Sequence, residues 1–404
     1  MYDIIVVGAR CAGSPLAMLM ARKGYRVLLV DRATFPSDTM STHIVWPSGL
    51  AKLKRWGLLE RVLASNCPVL TRMSFDVGPF ALSGSVAADG VSMVLCPRRT
   101  VLDKILVDAA AEAGAEVRTG FSVQEIIFKD GRVTGIRGRQ SRGAEFVEEG
   151  RIVAGADGLH SLVARAVQAP EYNSRPALAC AYYTYWSGVP HDRVTVYARD
   201  WQAAGIIPTN DGLTLVLAGL PNQEFQRYRA NIEGTYMKIL ESMGDLAERV
   251  RGGKREERYV GTADVPNLFR KPYGPGWVLL GDAGYHKDPY TAQGISDAFR
   301  DAELLAGALD DGLGRRRPLE DALASYEQTR NEKVMPMYDL TCQLATLAPP
   351  PPEMQQLFGA LQRNQADTNS FLGVMAGGTR ASEFFAPENV RRIVAGVHQK
   401  AAQA

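Results

Sequence analysis

The hydrophobic and polar positions of the first thirty residues predict a strand, a helix and a second strand. Residues 4–7 form a β-branched run, residues 14–23 carry apolar side chains at helical spacing, and residues 26–30 read as a strand again. A glycine-rich turn, Gly8 to Gly13, joins the first strand to the helix. In such a βαβ unit the unpaired N–H groups and positive dipole end of the helix can hold a pyrophosphate. The pattern therefore predicts a dinucleotide site.

Two side chains bear on this predicted dinucleotide site: one supports it, and the other departs from the usual glycine motif. Asp31 ends the second predicted strand, where a carboxylate can accept hydrogen bonds from the hydroxyls of an adenosine ribose. A strict G-x-G-x-x-G turn would have glycine at position 10, where this chain has Arg10. The sequence leaves two orientations open for Arg10: it points outward, or its guanidinium pairs with a phosphate or with adenine.

Two later segments repeat the pattern of a strand that runs into a glycine-containing turn. Residues 151–156 read as a strand and continue into GADGLHSLVAR, which contains Asp157. Residues 277–280 read as a buried strand and continue into Gly281 and Asp282, followed by a long amphipathic helix. A carboxylate at a strand's carboxyl end can bind a hydroxyl, and the N-terminus of the helix that follows can stabilise negative charge.

With these three motifs in this order, the chain resembles the para-hydroxybenzoate hydroxylase-like flavoproteins, which include aromatic-ring monooxygenases, geranylgeranyl reductases and flavin-dependent halogenases. The resemblance spans about residues 3–345. It implies an FAD-dependent enzyme of the α/β class, with a Rossmann-like FAD-binding domain, an inserted antiparallel β-sheet substrate domain and C-terminal helices.

The resemblance also implies which residues bind the cofactor. The first motif and Asp31 fall on the ADP half of FAD, Asp282 falls near the ribityl chain and pyrophosphate, and residues 294–296 face the pyrimidine edge of the flavin. Arg99 matches a position that touches the flavin chain from the other side, the alternative being a solvated arginine at a helix start. Asp157 matches an acid associated with both FAD and nicotinamide. The expected cofactor-binding residues are Gly8, Arg10, Cys11, Ala12, Gly13, Asp31, Arg32, Ser41, Thr42, Arg99, Asp157, Gly281, Asp282, Pro289, Gly294, Ile295 and Ser296.

The loop after Asp282 departs from the hydroxylase pattern. Where hydroxylases often carry a histidine and two prolines, this chain reads Tyr-His-Lys-Asp-Pro from position 285. Its polar members His286 and Lys287, together with His43, are candidate catalytic groups, with a simply solvated loop side chain as the alternative.

The middle of the chain changes to strand character and predicts an antiparallel sheet. The predicted strands read MSFDV, SMVLCP, ACAYYTYWSGV, RVTVYAR, QAAGIIPT and LTLVLAGL, within residues 71–96 and 178–220. We therefore expect residues 1–70, 97–170 and 262–345 to form a discontinuous FAD-binding domain. Residues 71–96 and 171–261 would form the substrate domain. Residues 346–404 would form a helical cap of two or three helices, for packing or dimerisation, with a lid over the substrate cleft as the less favoured alternative.

The substrate pocket is expected along these strands. The alternating aromatics of residues 182–186 either line a cavity or pack in the core, and Tyr183, Tyr185, Ile207 and Pro208 are the candidate pocket residues. The aromatic content favours an apolar or aromatic substrate. Halogenases of the resembled family carry W-x-W-x-I-P where residues 203–208 read AAGIIP, without either tryptophan, which argues against halogenation.

Net charge, cysteine content and hydropathy exclude several classes of protein and of binding site. The formal net charge is only +2, so no broad basic surface indicates a nucleic-acid partner. The five cysteines are odd in number and lack a C-x-x-C pair, which argues against a disulfide framework or a zinc site, and no metal is expected. No charged and apolar signal segment and no run of 18 apolar residues occur, so we expect a soluble, cytoplasmic protein without integral membrane contact.

The resemblance implies a monooxygenase that uses FAD, transient NADH or NADPH, and O₂ to oxygenate an aromatic or polycyclic small molecule through a C4a-hydroperoxyflavin, with a place in specialised metabolism. A reductase of the geranylgeranyl reductase type is the alternative, and a flavin halogenase or a non-catalytic FAD-binding protein is less favoured. Substrate identity, the choice of nicotinamide, the type of oxygenation and the oligomeric state stay open.

Overall fold

The computed structural model describes residues 1–141 and 143–401, so Arg142 and the end of the predicted cap, residues 402–404, lie outside the described residues. The strands are β1 Tyr2–Val7, β2 Val27–Asp31, β3 Arg72–Asp76, β4 Ala81–Ser85, β5 Glu116–Thr119, β6 Phe121–Lys129, β7 Arg132–Gln140, β8 Glu145–Gly155, β9 Glu171–Arg175, β10 Ala179–Ser187, β11 Val194–Arg199, β12 Gln202–Pro208, β13 Thr214–Pro221, β14 Lys254–Arg255, β15 Val260–Thr262, β16 Asn267–Arg270, β17 Tyr273–Gly274, β18 Trp277–Leu279 and β19 Tyr285–His286. The helices are α1 Gly13–Arg22, α2 Pro47–Trp56, α3 Leu59–Leu63, α4 Arg99–Glu112, α5 Leu162–Ala166, α6 Phe225–Ala230, α7 Ile232–Glu241, α8 Leu246–Arg251, α9 Gly294–Leu313, α10 Leu319–Leu344, α11 Pro352–Leu361, α12 Gln365–Met375, α13 Ala381–Phe384 and α14 Pro387–Ala401.

A largely parallel sheet brings the three motifs to one edge. Its strand order is β17-β18-β8-β1-β2-β5, and β7 joins β8 to β6. The strand β1 lies between β2 and β8, with Val7 opposite both Val30 and Gly155, and Leu279 of β18 is also opposite Gly155. Because these strands run in the same direction, the turns that follow β1, β2, β8 and β18 emerge side by side.

Helices cover one face of this sheet and form the largest core. Apolar side chains of α1, α4 and α9 pack on one another and on the sheet, and Leu16, Leu106 and Phe299 are fully or almost fully buried. The spacing of these apolar positions, three or four residues apart, explains why the segments fold as helices against the sheet. These helices begin next to the edge where the turns emerge, α1 at Gly13 and α9 at Gly294.

A second sheet, with order β14-β10-β13-β12-β11-β3-β4 and β15 beside β10, is antiparallel except where β11 pairs with β3. The predicted strands of residues 178–220 are present, and so is the strand near residue 73. The prediction of a strand at SMVLCP was wrong: this segment makes only single bridges, from Val94 to Leu70 and from Leu95 to Val45. The partner of β3 is β4 instead, because its alternating burial pattern lets it pair along residues 81–85.

The C-terminal segment forms four described helices, rather than the two or three predicted. They pack on the second sheet through aromatic side chains, and Phe75 of β3 contacts Phe358 and Phe371 at ring separations of 5.8 Å. The predicted domain boundaries remain a prediction. A third, small sheet has the order β19-β16-β9. None of the helices in residues 1–141 and 143–401 is long and apolar enough to cross a membrane.

Candidate active site

Most of the predicted cofactor-binding residues line one cavity of about 930 Å³. It begins at the edge where the turns of the parallel sheet emerge and continues to the second sheet. Its wall includes every expected cofactor-binding residue except Gly13 and Ser296. The three motifs, separated by more than a hundred residues from one another, therefore face the same space.

The first turn forms a cradle that only glycine can build. Gly8 has φ +104°, and a Cβ placed on it would lie 2.4 Å from the carbonyl oxygen of Ala156. A Cβ on Gly13 would lie 1.8 Å from the carbonyl oxygen of Gly8, which explains why Gly13 lies behind the wall. Asp31 is fixed beside this turn, because its Oδ2 accepts from the N–H of Ala9 at 2.7 Å and its Oδ1 from that of Ala33 at 2.8 Å.

Arg10 lies on the cavity wall with its guanidinium paired to the protein. Its Nη1 lies 2.6 Å from Asp103 Oδ2, its Nη2 donates to Ser37 Oγ at 2.9 Å, and the group lies 5.4 Å from the ring centre of Phe35. The pairing with Asp103 and Ser37 keeps the Arg10 side chain at the cavity wall.

Asp103 was not predicted from the sequence, yet it joins two predicted residues. This carboxylate is fully buried, and it binds Arg99 at 3.0 Å as well as Arg10. The thiol of Cys11 donates to it at 3.3 Å, and burial raises the pKa of that thiol above its ordinary value. The spacing of Arg99 and Asp103, four residues on one helix face, was the available sequence signal.

The second and third motifs meet the first at this edge. A Cβ on Gly281 would lie 2.8 Å from the Cβ of Ala12, so the first and third turns are in direct contact. Asp282 is exposed towards the cavity, and its charge acts on Arg99. Asp157 also lines the wall, but its carboxylate accepts from Ser161 Oγ at 2.6 Å and from the N–H of Leu162 at 2.7 Å. Asp157 therefore binds the first N–H groups of α5 in addition to lining the wall.

The start of α9 opens directly onto the cavity. Gly294 and Ile295 line the wall, and a Cβ on Gly294 would meet no atom within 4 Å. The Ser296 hydroxyl is buried without a hydrogen-bond partner among the described residues and points towards Gly49 instead. A glycine cradle and two helix N-termini offer N–H donors for phosphate and flavin oxygens, and the carboxylates of Asp31 and Asp282 offer acceptors for hydroxyls, so the residues around this cavity fit FAD.

The loop before α9 holds the candidate polar groups in different ways. His286 lines the cavity, and its Nδ1 lies 2.6 Å from the carbonyl oxygen of Pro266. Lys287 also lines it but forms a buried ion pair with Asp297, which binds Arg300 as well. Burial opposes ionisation of Asp297, yet Arg300 and Lys287 hold its pKa below the ordinary value. The Lys287 side chain is therefore held by the Asp297 carboxylate at the cavity wall.

Asp288 differs from its neighbours because one of its oxygens has no partner. It is 3% exposed, and its Oδ1 accepts from the N–H of Tyr290 at 3.0 Å. Its Oδ2 has no hydrogen-bond partner among the described residues. Burial raises the pKa of Asp288 to about 7, although the N–H groups of Tyr290 and Ala179 act in the opposite direction. No sequence signal marked this residue beyond its place in the altered loop.

Three of the predicted site residues, His43, Tyr185 and Pro208, do not lie on the wall of this cavity. His43 is fully buried with φ 64°, and its Nε2 forms a hydrogen bond with the hydroxyl of Tyr185. Burial and the charge of Arg99 lower the pKa of His43 to about 3, so the imidazole is neutral. Tyr183 and Ile207 do line the cavity.

The rest of the cavity is apolar and reaches the second sheet and the C-terminal segment. The wall here includes Trp46, Met73, Val196, Leu217 and small residues of β10, β12 and β13. Leu347 and Met375 complete it. The C-terminal segment therefore contributes to the cavity wall in addition to the packing that we expected of it.

Comparisons with known proteins agree with this geometry. The family described as FAD binding domain matches residues 1–341. The digeranylgeranylglycerophospholipid reductase 2 of Methanothermobacter thermautotrophicus is 29% identical over 342 residues, which cover 82% of this chain and 84% of that protein. Two solved structures share the fold. The myxobacterial chondrochloren halogenase has a TM-score of 0.79 at 20% identity, covering 98% of this chain and 97% of its own. A probable FAD-dependent monooxygenase from Pseudomonas aeruginosa has a TM-score of 0.71 at 22% identity, covering 92% and 99%.

Proposed function

This chain belongs to the FAD-binding-domain family and is an FAD-dependent oxidoreductase, and on that premise we propose that it is a monooxygenase that uses NAD(P)H and O₂ to oxygenate an aromatic or polycyclic small molecule. The supporting observation is that the cofactor cradle and an apolar chamber form one continuous cavity. Oxygen transfer needs a site from which water is excluded, since the two electrons of reduced flavin otherwise end on O₂ as released hydrogen peroxide.

The proposed roles of the residues follow from their places on the wall. The N-terminus of α1 and Asp31 would hold the ADP half of FAD, and Asp282 and the start of α9 would hold the flavin half. Asp103 would keep Arg10 and Arg99 in place at the pyrophosphate without leaving two uncompensated cations in a buried site. The bound flavin supplies electron transfer and the activation of O₂.

The chain's own residues would then position the substrate and keep water out. Trp46, Met73 and Leu217 supply apolar surface on the side of the second sheet, and Met375 supplies it from α12. The sequence contains one glycine-turn βαβ unit that matches a dinucleotide site, and FAD accounts for it. We therefore infer that the nicotinamide cofactor visits the site, reduces the flavin and leaves.

A reductase is the second candidate, and the curated relative favours it, because that protein is named a reductase. Reduction of a carbon–carbon double bond consumes a hydride and a proton. His286 and Asp288 of the loop before α9 line the cavity and are the candidate donors of such a proton. The two candidates share the cofactor site and differ in whether oxygen enters the product.

A turnover experiment under labelled dioxygen separates them. The FAD-loaded protein is incubated with NADPH or NADH, ¹⁸O₂ and a panel of polycyclic aromatic compounds. The masses of the products are then measured by mass spectrometry. One heavy oxygen atom in the product supports the monooxygenase, and a gain of two hydrogens without oxygen supports the reductase. Flavin that is not reduced by either nicotinamide with any member of the panel would contradict both.

A further inference from the structure

A buried cluster of charged side chains lies where the loop before α9 meets the first turns of that helix. Lys287 of the loop and Asp297 of α9 form an ion pair, their side chains are 5% and 10% exposed, and both line the cavity. Arg300 binds the other oxygen of Asp297, and its Nη2 lies 2.8 Å from Asp301 Oδ1. These four residues and Arg330 of α10 are called the charge cluster below. Of its cations, Lys287 is the one that lines the cavity.

Cations exceed carboxylates in the charge cluster. Arg330 is fully buried, and its hydrogen-bond partners among the described residues are neutral: two backbone carbonyl oxygens at 3.2 and 3.3 Å, the hydroxyl of Tyr172 at 2.9 Å and an asparagine amide. Such dipoles orient a guanidinium without cancelling its charge. Lys287, Arg300 and Arg330 therefore face only the two carboxylates of the cluster. Burial raises the pKa of Asp301, which increases the excess of positive charge.

Replacing Lys287 by a neutral residue removes one positive charge rather than a neutral pair, because Asp297 keeps a second cation. Burial opposes the ionisation of Asp297, but Arg300 and Lys287 both hold its pKa below the ordinary value, and of these two charges that of Arg300 acts more strongly. Arg300 remains beside Asp297 when Lys287 is lost. The charge of the cavity wall therefore changes by one unit.

Two carboxyl groups of the same wall oppose this positive charge only in part. Asp282 is exposed towards the cavity, and its charge acts on Arg99, a cation of the same wall. Asp288 is 3% exposed, and burial raises its pKa to about 7. Below that pH the Asp288 carboxyl is mainly neutral. Lys287 is therefore not cancelled by the carboxyl groups nearest to it along the loop.

Reduction of FAD adds negative charge to this cavity. A hydride brings two electrons and one proton to the neutral ring system of the flavin, which becomes an anion unless a further proton follows, and the hydride donor leaves oxidised. An apolar wall opposes an uncompensated charge. Gly294 and Ile295, at the N-terminus of α9, line this wall, and the partial positive charge of a helix N-terminus favours an anion. The Lys287 side chain adds a full positive charge, because its partner Asp297 belongs to the same helix.

We propose that the Lys287 ammonium stabilises the negative charge that reduction places on the bound flavin, while the rest of the charge cluster holds Lys287 at the wall. This inference rests on the FAD site of the proposed function, and on neither its substrate nor its use of O₂. Reduced FAD should then bind more tightly, relative to oxidised FAD, than it would without Lys287. A unit charge about 10 Å from another shifts an equilibrium by roughly tenfold at the effective dielectric of a protein interior.

The reduction potential of the bound FAD tests this proposal without turnover. The FAD-loaded protein is photoreduced stepwise in the absence of O₂, with a reference dye of known potential, at about pH 6, where Asp288 is mainly protonated. We expect Lys287→Met to lower the affinity for reduced FAD, relative to oxidised FAD, by about tenfold. This change is a fall in potential of about 30 mV for a two-electron couple. Lys271→Met, at an exposed lysine away from the cavity wall, is the matched control and should keep the wild-type potential.

Two further variants separate the charge of Lys287 from its place in the packing. Lys287→Gln retains a hydrogen-bond donor towards Asp297 without a charge, and its potential should fall as in Lys287→Met. Lys287→Arg retains the charge and should keep most of the wild-type potential. A wild-type potential in the neutral variants would overturn the proposal, and so would a fall in Lys287→Arg equal to that in Lys287→Met. If one neutral variant does not hold FAD, the other supplies the comparison.

The result is separable from the fate of the proposed function, because photoreduction needs no nicotinamide, substrate or O₂. If the neutral variants lower the potential but labelled oxygen never enters a product, the role of Lys287 stands and the monooxygenase fails. If oxygen enters a product but the neutral variants keep the wild-type potential, the monooxygenase stands and the role of Lys287 fails.

Discussion

Arg10 Nη1 lies 2.6 Å from Asp103 Oδ2, across 93 positions of sequence. Arg10 stands where the resembled motif has glycine, at the point where a backbone would approach a pyrophosphate. Its ion partner on α4 is fully buried and also binds Arg99. The departure from the glycine motif is therefore accompanied by a carboxylate that neutralises and orients the added cation.

In the absence of FAD, Asp103→Asn should lower the free energy of unfolding by about 3 kcal/mol, because breaking a buried ion pair leaves uncompensated charge. We expect saturating FAD to restore part of this loss, since a pyrophosphate would give Arg10 and Arg99 a new partner. Urea unfolding with and without FAD measures both effects. Asp108→Asn, on the same helix in an exposed pair with Lys104, is the matched control and should cost less than about 1 kcal/mol. Equal unfolding midpoints for the two variants would contradict the assigned role of Asp103.

Gly8→Ala should abolish FAD binding or prevent folding, because the added Cβ would lie 2.4 Å from the Ala156 carbonyl oxygen. Gly24→Ala tests the backbone effect alone. Gly24 has φ +87°, and a Cβ placed on it would meet no atom within 4 Å, so only the strain of about 1–2 kcal/mol remains. Thermal denaturation and the flavin content of the purified proteins compare the two. Similar losses in both variants would show that crowding at Gly8 is unimportant.

Asp282→Ala should lower the fraction of purified protein that carries FAD, because the exposed carboxylate at the end of β18 would lose its contact with the cofactor. Flavin absorbance relative to protein absorbance measures this fraction. Asp245→Ala, an exposed aspartate away from the cavity wall, should retain the wild-type fraction. Retention of full flavin content and an unchanged flavin spectrum in Asp282→Ala would count against the proposed role.

The pH dependence of stability should contain a contribution from Asp288. Burial raises its pKa from 3.8 to about 7, so the folded state binds the proton more tightly than the unfolded state does. The stabilisation that this proton gives is complete below about pH 4 and is lost as the pH rises through about 7. Asp288→Asn cannot ionise. Its free energy of unfolding should therefore exceed that of the wild-type protein more at pH 8 than at pH 5, by an amount on the order of 3 kcal/mol.

Urea unfolding at several pH values between 4 and 8 provides the measurement for Asp288. The difference between the variant and the wild-type protein is the informative quantity, because other carboxylates contribute equally to both. A difference that stays constant over this range would mean that Asp288 has an ordinary pKa in the folded protein, in conflict with its burial.

The strands, the helices and the family of this protein could be predicted from its sequence because each rests on local patterns. Residues 4–31 carry the two periodicities and the glycine turn of a βαβ unit within thirty positions, and β1, α1 and β2 follow. The segment at residues 92–97 was predicted as a strand and is not one. A short apolar run indicates only burial, and this one makes single bridges to Leu70 and Val45 instead of a continuous ladder.

Sequence alone determined that three glycine-containing motifs would follow three strands, because turn chemistry and side-chain periodicity are properties of neighbouring residues. Only the tertiary structure decided which distant side chains meet: Arg10 with Asp103, and His43 with Tyr185 behind the wall rather than on it. It also decided that Met375 would complete the cavity and that Asp288 would be buried beside it. These outcomes depend on how the two sheets and the C-terminal helices pack, and no local pattern encodes that packing.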